Sequence, residues 1–592
     1  MNNNFSSIEK ILLPENCYFS QEQKEVLQSN GSYNIVAGPG SGKTTVLTAK
    51  IANLLLNRKY MDKGICLITH TNVAVEEVIG SLRKVGINSV EYPNFIGTIQ
   101  EFFNYFFSIK AFKILSGRQK IRILDDEDYK VKLEPIFRSC VDWYKDEWNI
   151  PNLKKKNVCL KVNEKGCVYF TNDAKTSYQS QLNDCLERLF YNGFVTNHQC
   201  LELSEWYINR HIIPLSKALE ERFSYIILDE AQDTSVLQYS LLNKLTCKTN
   251  IKFQKYGDPY QSLYSIYERD SRDAWSPNFE VSMGVQVKEI AETTRFGTTI
   301  CNVVKNVCME NYDHFRSLEI VDSLSPYFLV FESKEELIIK YKKLIKKCEE
   351  TNESFKDCQK KDVIVSDMHA NLERYFPSYT KEKKSQTFIK YNYHSLFNYL
   401  VNKFSVIYQK SRSEMKLFLT EDKEKSKLSS ILLKELSYSN VNKIKVEDIL
   451  SRIIVEMTNV DVKQLAKEII CQVNNIKKNN MEGLDKNEKY VLNTIHGVKG
   501  ETHRSTMLIM DSSLNYGSTN NNDFFHLIKP FLIGSRFNYD SHQDKDKIKS
   551  ILKLAYVALS RPKYLIIIAI PQKDITLDYK MKLIENSWIE IV

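Results

Sequence analysis

The stretch NIVAGPGSGKTT, residues 34–45, constrains this chain more than any other. A short apolar run, Asn34 to Val36, feeds a glycine-rich turn, and Lys43-Thr44 open a helical pattern. This is the layout of a P-loop. Gly38, Gly40 and Gly42 let the backbone bend so that successive N–H groups turn towards phosphate oxygens. Lys43 is placed to reach the β- and γ-phosphates, and the Thr44 hydroxyl to hold Mg²⁺. Ser41 and Thr45 complete the expected nucleotide-binding set. Ala37 stands at the first glycine of the general pattern.

At 592 residues the chain is too long for one hydrophobic core, so several domains are expected. A net charge of +9 is a mild excess, compatible with a polyanionic partner. The thirteen cysteines are dispersed and form no CxxC pair, which argues for free thiols and against a disulfide framework or a zinc site. The start, MNNNFSSIEKILLPENC, lacks a basic segment followed by an apolar one, and YLIIIAI at 564–570 is only strand-length. The expectation is a cytoplasmic protein that does not span a membrane.

Along the chain, FSQEQKEVLQ at 19–28 reads as a short helix before the P-loop strand. Its Gln23 carries an amide able to pair both donor and acceptor on an adenine edge. GICLITHTNVAVEEVI at 64–79 and FIGTIQEFFNYFF at 95–107 read as strand-then-helix units. Thr69, Thr71, Asn72, Thr98 and Gln100 fall at the C-terminal strand ends, where open parallel sheets bind ligands, and each also suits a helix cap. Residues 108–217 hold no phosphate-binding signature and read as an inserted helical subdomain, with Lys154-Lys155-Lys156 as a solvated loop.

FSYIILDEAQD at 223–233 is the second informative stretch. A buried strand ends in Asp229-Glu230. Beside a P-loop, such an Asp is suited to hold Mg²⁺ and its neighbour to accept a proton from attacking water. IKFQKYGDPYQSLYSIY at 251–267 is a further strand, ending in Gly257-Asp258 and followed by Gln261, placed to sense the γ-phosphate. Tyr264 suits a core position and a base-stacking face equally. Alternating strands and helices argue for α/β architecture.

The series AGPGSGKT, ITHTNVAVEEV, GTIQEFF, LDEAQDT and GDPYQSLY resembles the UvrD/Rep/PcrA group of superfamily 1 helicases. The likeness continues through AETTRFGTTI at 291–300, DVIVSDMHANLERYF at 362–376, LNTIHGVKGET at 492–502 and AYVALSRP at 555–562. It implies two RecA-like P-loop NTPase lobes with parallel sheets. The first would be 1–107 with 218–282 and the second 283–390 with 487–592. The helical subdomain 108–217 would be inserted in the first lobe, and 391–486 would be a reduced accessory subdomain. It implies ATP and Mg²⁺ in the cleft, with Glu230, Gln261, Arg295 and Arg561 catalytic and Glu501 among the nucleotide contacts. It also implies translocation on single-stranded DNA, 3′ to 5′, with unwinding of tailed duplex DNA. His70, Thr71, Asn72, Thr98, Tyr264 and His496 would face the strand.

Departures accompany the likeness. Ile266 and Tyr267-Glu268 replace an aromatic and an Arg-Gly pair, Thr294 and His70 replace stacking aromatics, and Glu501 falls one position early. They keep open an alternative, an ATP-driven DNA sensor or remodeller that serves a separate nuclease partner in DNA repair or phage defence. Residues 391–486 are rich in lysine and asparagine, with NNIKKNN at 474–480 expected to be weakly structured, and 511–547 is a further insertion.

Overall fold

The computed structural model describes residues 3–591 except 58–62, 141–157, 164, 173–175, 264–273, 283, 311, 377–378, 380–392, 409–414, 416–417, 420–422, 438–440, 455–460, 483–489, 512–523, 536 and 540. The Lys154–Lys156 run, Tyr264, Ile266 and much of the 511–547 insertion therefore lie outside the described residues.

Two six-stranded sheets carry the architecture, and every strand pairing within them is parallel. The first contains β1 (Tyr33–Ala37), β2 (Gly64–Thr69), β3 (Phe95–Thr98), β4 (Phe223–Leu228), β5 (Lys252–Gly257) and β6 (Gln286–Ile290), in the order β6-β1-β5-β4-β2-β3. The second contains β7 (Tyr327–Phe331), β8 (Asp362–Ser366), β9 (Tyr490–Thr494), β10 (His503–Ile509), β11 (Pro562–Pro571) and β12 (Ile589–Ile591), in the order β9-β8-β10-β11-β7-β12.

Strands β2, β4, β7 and β11 are near-continuous apolar runs, as expected where both faces of a sheet are covered. In the first sheet, Ile35, Leu67, Ile227 and Tyr256 point into one core with Val46, Leu47 and Ile51 of the helix Lys43–Leu56. Val36, Cys66, Ile68, Ile226, Leu228 and Phe253 point the other way, onto Phe102, Phe103 and Ile208. The two-residue alternation of a strand sends neighbouring side chains into different cores. Strand order matters for function. β1 lies between β5 and β6, and β5 lies beside β4, so the loops after β1, β4 and β5 emerge side by side at one sheet edge.

The second sheet is anchored by a buried ion cluster. Arg504 on β10 donates from Nε to Asp362 Oδ1 at 2.9 Å, from Nη2 to Asp362 Oδ2, and from Nη2 to Glu349 at 3.0 Å. Ser505 Oγ donates to Asp362 at 2.7 Å, and the guanidinium lies 4.4 Å from the Phe355 ring centroid. Removing one partner leaves the other charge buried and uncompensated. Asp362→Ala is expected to destabilise this part of the chain by about 3–5 kcal/mol, read as a lowered urea midpoint. A shift of less than about 1 kcal/mol would mean that Glu349 alone satisfies Arg504.

The chain forms two compact units, one of residues 1–114, 200–378 and 490–592, the other of 115–199 and 379–489. Both sheets belong to the first. The second unit contains helices Asp126–Cys140, Thr176–Tyr191, Tyr393–Tyr408, Lys423–Ser437, Lys443–Ile453 and Val462–Glu482, with a short antiparallel pair, Cys159–Val162 and Val168–Thr171. Leu400, Phe404, Leu432, Leu436, Ile449 and Ile469 form a core within it. Residues 474–480, expected to be weakly structured, instead continue the helix Val462–Glu482. Leu465, Ala466, Ile469 and Val473 recur at helical spacing and are buried, so packing nucleates a helix that runs on through the polar residues. All thirteen cysteines are free thiols. Among the described residues, no helix is long and apolar enough to cross a membrane.

Candidate functional site

The glycine turn after β1 closes tightly. Gly38 N–H donates to Ile290 O at 3.0 Å and Ser41 N–H to Gly38 O at 3.2 Å. Gly40 and Gly42 adopt φ of 74° and 75°, a region that L side chains rarely enter. A Cβ at Gly40 would also collide with Arg295 Cβ and Thr293 Oγ1, so the turn and the segment after β6 touch backbone to side chain. Thr294 N–H and Oγ1 both donate to Gly40 O, at 3.1 and 3.2 Å.

Lys43 opens the following helix, and its Nζ lies 2.7 Å from both Asp229 Oδ1 and Glu230 Oε1 at the end of β4. Burial alone would lower the Lys43 pKa, but the two carboxylates outweigh it and raise it. Burial pushes the Asp229 carboxyl up, against the pull of Lys43. Burial would also raise Glu230, whose side chain keeps 38% of its exposure, but Lys43 and Lys499 bring it down to about 2. Glu230 holds φ 51° and ψ 45°, a left-handed conformation unusual for a residue with a side chain and of the sort found at functional sites.

Beyond the acids a hydrogen-bonded path leads to the second sheet. Gln232 Nε2 donates to Glu230 Oε2 at 2.6 Å, and Gln232 Oε1 accepts from Asp258 N–H at 3.1 Å. Gln261 Nε2 donates to Asp258 Oδ2 at 2.7 Å, and Arg561 Nη2 donates to Gln261 Oε1. Arg561 is 2% exposed and is held by Nε on Val557 O at 3.0 Å. Arg295 donates from Nη1 to Ser560 O at 3.0 Å, and burial, then the nearby Arg561 charge, push it down to about 9. The structure therefore gathers Lys43, Asp229, Glu230, Gln261, Arg295 and Arg561 from both sheets.

Several expected residues make contacts within the protein, Thr71 and Thr98 among them as the helix caps their positions suit. Gln23 Oε1 accepts from Ser20 N–H and its Nε2 donates to Ser41 O, both at 2.9 Å, so the amide ties the preceding helix to the P-loop. His70 turns towards the acids. Its ring Nε2 lies 3.1 Å from Thr234 Oγ1, and burial lowers its pKa to about 4 although Glu230 opposes this. Thr71 caps the helix Asn72–Lys84, which leaves Asn72 exposed in its first turn. Thr98 forms a capping box with Glu101. Thr69 donates to Thr71 O at 3.2 Å and Gln100 to Asn104 Oδ1 at 3.0 Å. Half-buried His496 opens the short turn after β9, and burial lowers its pKa. Glu501 is half exposed, 3.2 Å from His503 Nε2. Thr44 and Thr45 lie half-buried in the first turn after the glycines.

The structure brings here four residues to which sequence reasoning assigned no role. Lys499 pairs with Asp233 and donates to Gln261 O at 3.0 Å. Gln232 and Asp258 lie on the path just described. The signal was present, since Lys499 sits within HGVKGET and Asp233 within DEAQD. Their meeting requires the loops after β9 and β4 to face one another, which neither stretch encodes alone.

An orphaned polar atom bears on what the turn holds. Ser41 Oγ is buried in the P-loop without a hydrogen-bond partner among the described residues. Together with Lys43 and the left-handed glycines it fits a triphosphate, and Thr44 with Asp229 supplies the oxygen ligands a magnesium ion prefers.

The UvrD/REP helicase N-terminal domain model matches residues 19–270. Among curated proteins, the chain is 28% identical over 255 residues to a probable DNA helicase II homolog of Mycoplasma capricolum, covering 41% of this chain and 34% of that protein. It is 25% identical over 345 residues to the ATP-dependent DNA helicase srs2 of Schizosaccharomyces pombe, covering 53% and 38%. It is 30% identical over 262 residues to the ATP-dependent DNA helicase Rep of Buchnera aphidicola from Acyrthosiphon pisum, covering 42% and 38%. The chain thus spans little more than a third of the length of these relatives. Residues 19–270 thus match the UvrD/REP helicase N-terminal domain, and the chain that gathers the glycine turn, the paired acids and the two arginines at one site is similar over that part to UvrD/Rep-type DNA helicases.

Proposed function

We propose that this protein is an ATP-dependent DNA helicase that moves 3′ to 5′ on single-stranded DNA, with its two parallel sheets acting as RecA-like lobes. The observation that carries this reading is the linkage of Lys43, Asp229 and Glu230 on the first sheet to Arg561 near the second, through Gln261. Lys43 and the glycine turn would hold the triphosphate, with Thr44 and Asp229 holding Mg²⁺. The ion would neutralise phosphate charge. Glu230 would orient water and accept its proton. Arg295 and Arg561 would meet charge that develops in the transition state. Because Gln261 and Arg561 lie on different halves, their engagement makes hydrolysis depend on cleft closure, and alternating strand contacts would convert closure into stepping.

Exposed Asn72, with Thr71, Thr98 and His496 at strand ends, would line the path of the DNA. ATPase activity should rise on addition of single-stranded DNA, and duplex with a 3′ tail should unwind in preference to duplex with a 5′ tail. Binding should weaken with salt, with a log–log slope of about −0.7 per phosphate neutralised. Turnover indifferent to DNA, or affinity independent of salt, would refute the reading.

A further inference from the structure

The carboxylate of Asp258 is buried at the end of β5, 4% exposed, and has no place in the phosphate chemistry above. Three donors converge on it. Tyr260 N–H reaches Oδ1 at 3.1 Å, while Gln261 Nε2 and the Tyr556 hydroxyl reach Oδ2 at 2.7 and 3.2 Å. Tyr556 is fully buried on the helix Lys545–Leu559, which leads directly into Arg561. Gln261 is therefore gripped at both ends of its amide, by an acceptor at Nε2 and by the Arg561 guanidinium at Oε1.

The two grips select one orientation. A flipped amide would set its NH₂ against a guanidinium and its oxygen against a carboxylate, replacing two attractions with two repulsions. The carboxylate alone could fix the amide from the first-sheet side. The Tyr556 hydroxyl adds a contact from the helix that carries Arg561, so a shift of that helix would loosen both grips together.

We propose that Asp258 and Tyr556 are positioning residues that set the orientation of the Gln261 amide and tie it to the helix Lys545–Leu559. This deepens the proposed hydrolytic reading and rests on it. The test is a double-mutant cycle in the full chain, read both as ATP turnover and as melting temperature. Tyr556→Phe removes only the hydroxyl and is expected to lower kcat about 3–10-fold, the scale of one hydrogen bond, with KM for ATP within about twofold. In a Gln261→Ala background the same change should lower kcat by less than about 1.5-fold, because the amide it acts through is gone. Asp258→Asn retains an oxygen for Gln261 and Tyr556 but turns an NH₂ towards Tyr260 N–H, so it should recover part of the kcat that Asp258→Ala loses.

Losses that multiply in the double variant would overturn the proposal, since a merely structural tyrosine acts independently of Gln261. The melting cycle is the second readout. Non-additive changes in Tm are expected from groups that share one carboxylate, and additive changes would count against it. Should the wild-type protein bind MgATP yet fail to hydrolyse it with or without DNA, the hydrolytic reading falls. The melting cycle then still decides whether Tyr556 and Gln261 are coupled through Asp258.

Discussion

Arg561→Ala is expected to lower kcat for ATP hydrolysis by about 10³–10⁵-fold, the range typical of an arginine finger, with a much smaller change in nucleotide affinity. The guanidinium is buried, bonded to Val557 O and Gln261, and burial lowers its pKa. Arg295 lies beside it under the same penalty. Two desolvated cations held together repel, and an anion that gains charge between them relieves the repulsion most when that charge is greatest. The effect should fall on the transition state and so on kcat. Arg561→Lys should rescue little, because an ammonium cannot bond Val557 O and Gln261 with the same planar fork. Steady-state kinetics with a fluorescent-nucleotide titration reads both parameters. Equal loss of affinity, with no selective fall in kcat, would remove the finger role.

Glu230→Gln is expected to reduce turnover about 10²–10⁴-fold while ATP binding persists, and to prolong the DNA-bound state. The amide matches the carboxylate in shape and leaves the Lys43–Asp229 pair in place. It cannot accept the proton of attacking water. Gln232 donates to Oε2 and Lys43 lies at Oε1, so the variant amide can meet only one of these two donors with its oxygen. Stopped-flow release of labelled single strand in ATP, beside a turnover assay, distinguishes a trapped complex from a weakened one. Near-normal turnover would reassign the base.

Much of the first sheet was legible because its strands are short apolar runs that end in chemically distinctive residues. Ile35-Val36 before the glycines and Tyr225 to Leu228 before Asp229-Glu230 each declare a buried strand and its functional end. Thr71 and Thr98 read more readily as helix caps than as ligand contacts. In the structure both cap, since a free N–H at a helix start is a local demand that a neighbouring hydroxyl meets directly. The polar tract at 474–480 misled because its helix is set by buried residues further back in the chain.

By itself the amino-acid sequence marked the P-loop, the acidic strand end and the α/β class, each of which rests on residues close together in the chain, where backbone bending and side-chain type suffice; the arginine-bearing stretches stood out only by their resemblance to helicase motifs. Only the tertiary structure decided that Gln261 is held between Asp258 and Arg561, that Lys499 meets Asp233, and that His70 turns towards Thr234. Those pairs join loops far apart in the chain. They meet because parallel strand order brings one set of loop ends to the same edge, and because burying a charge or an amide requires a partner wherever the fold supplies one.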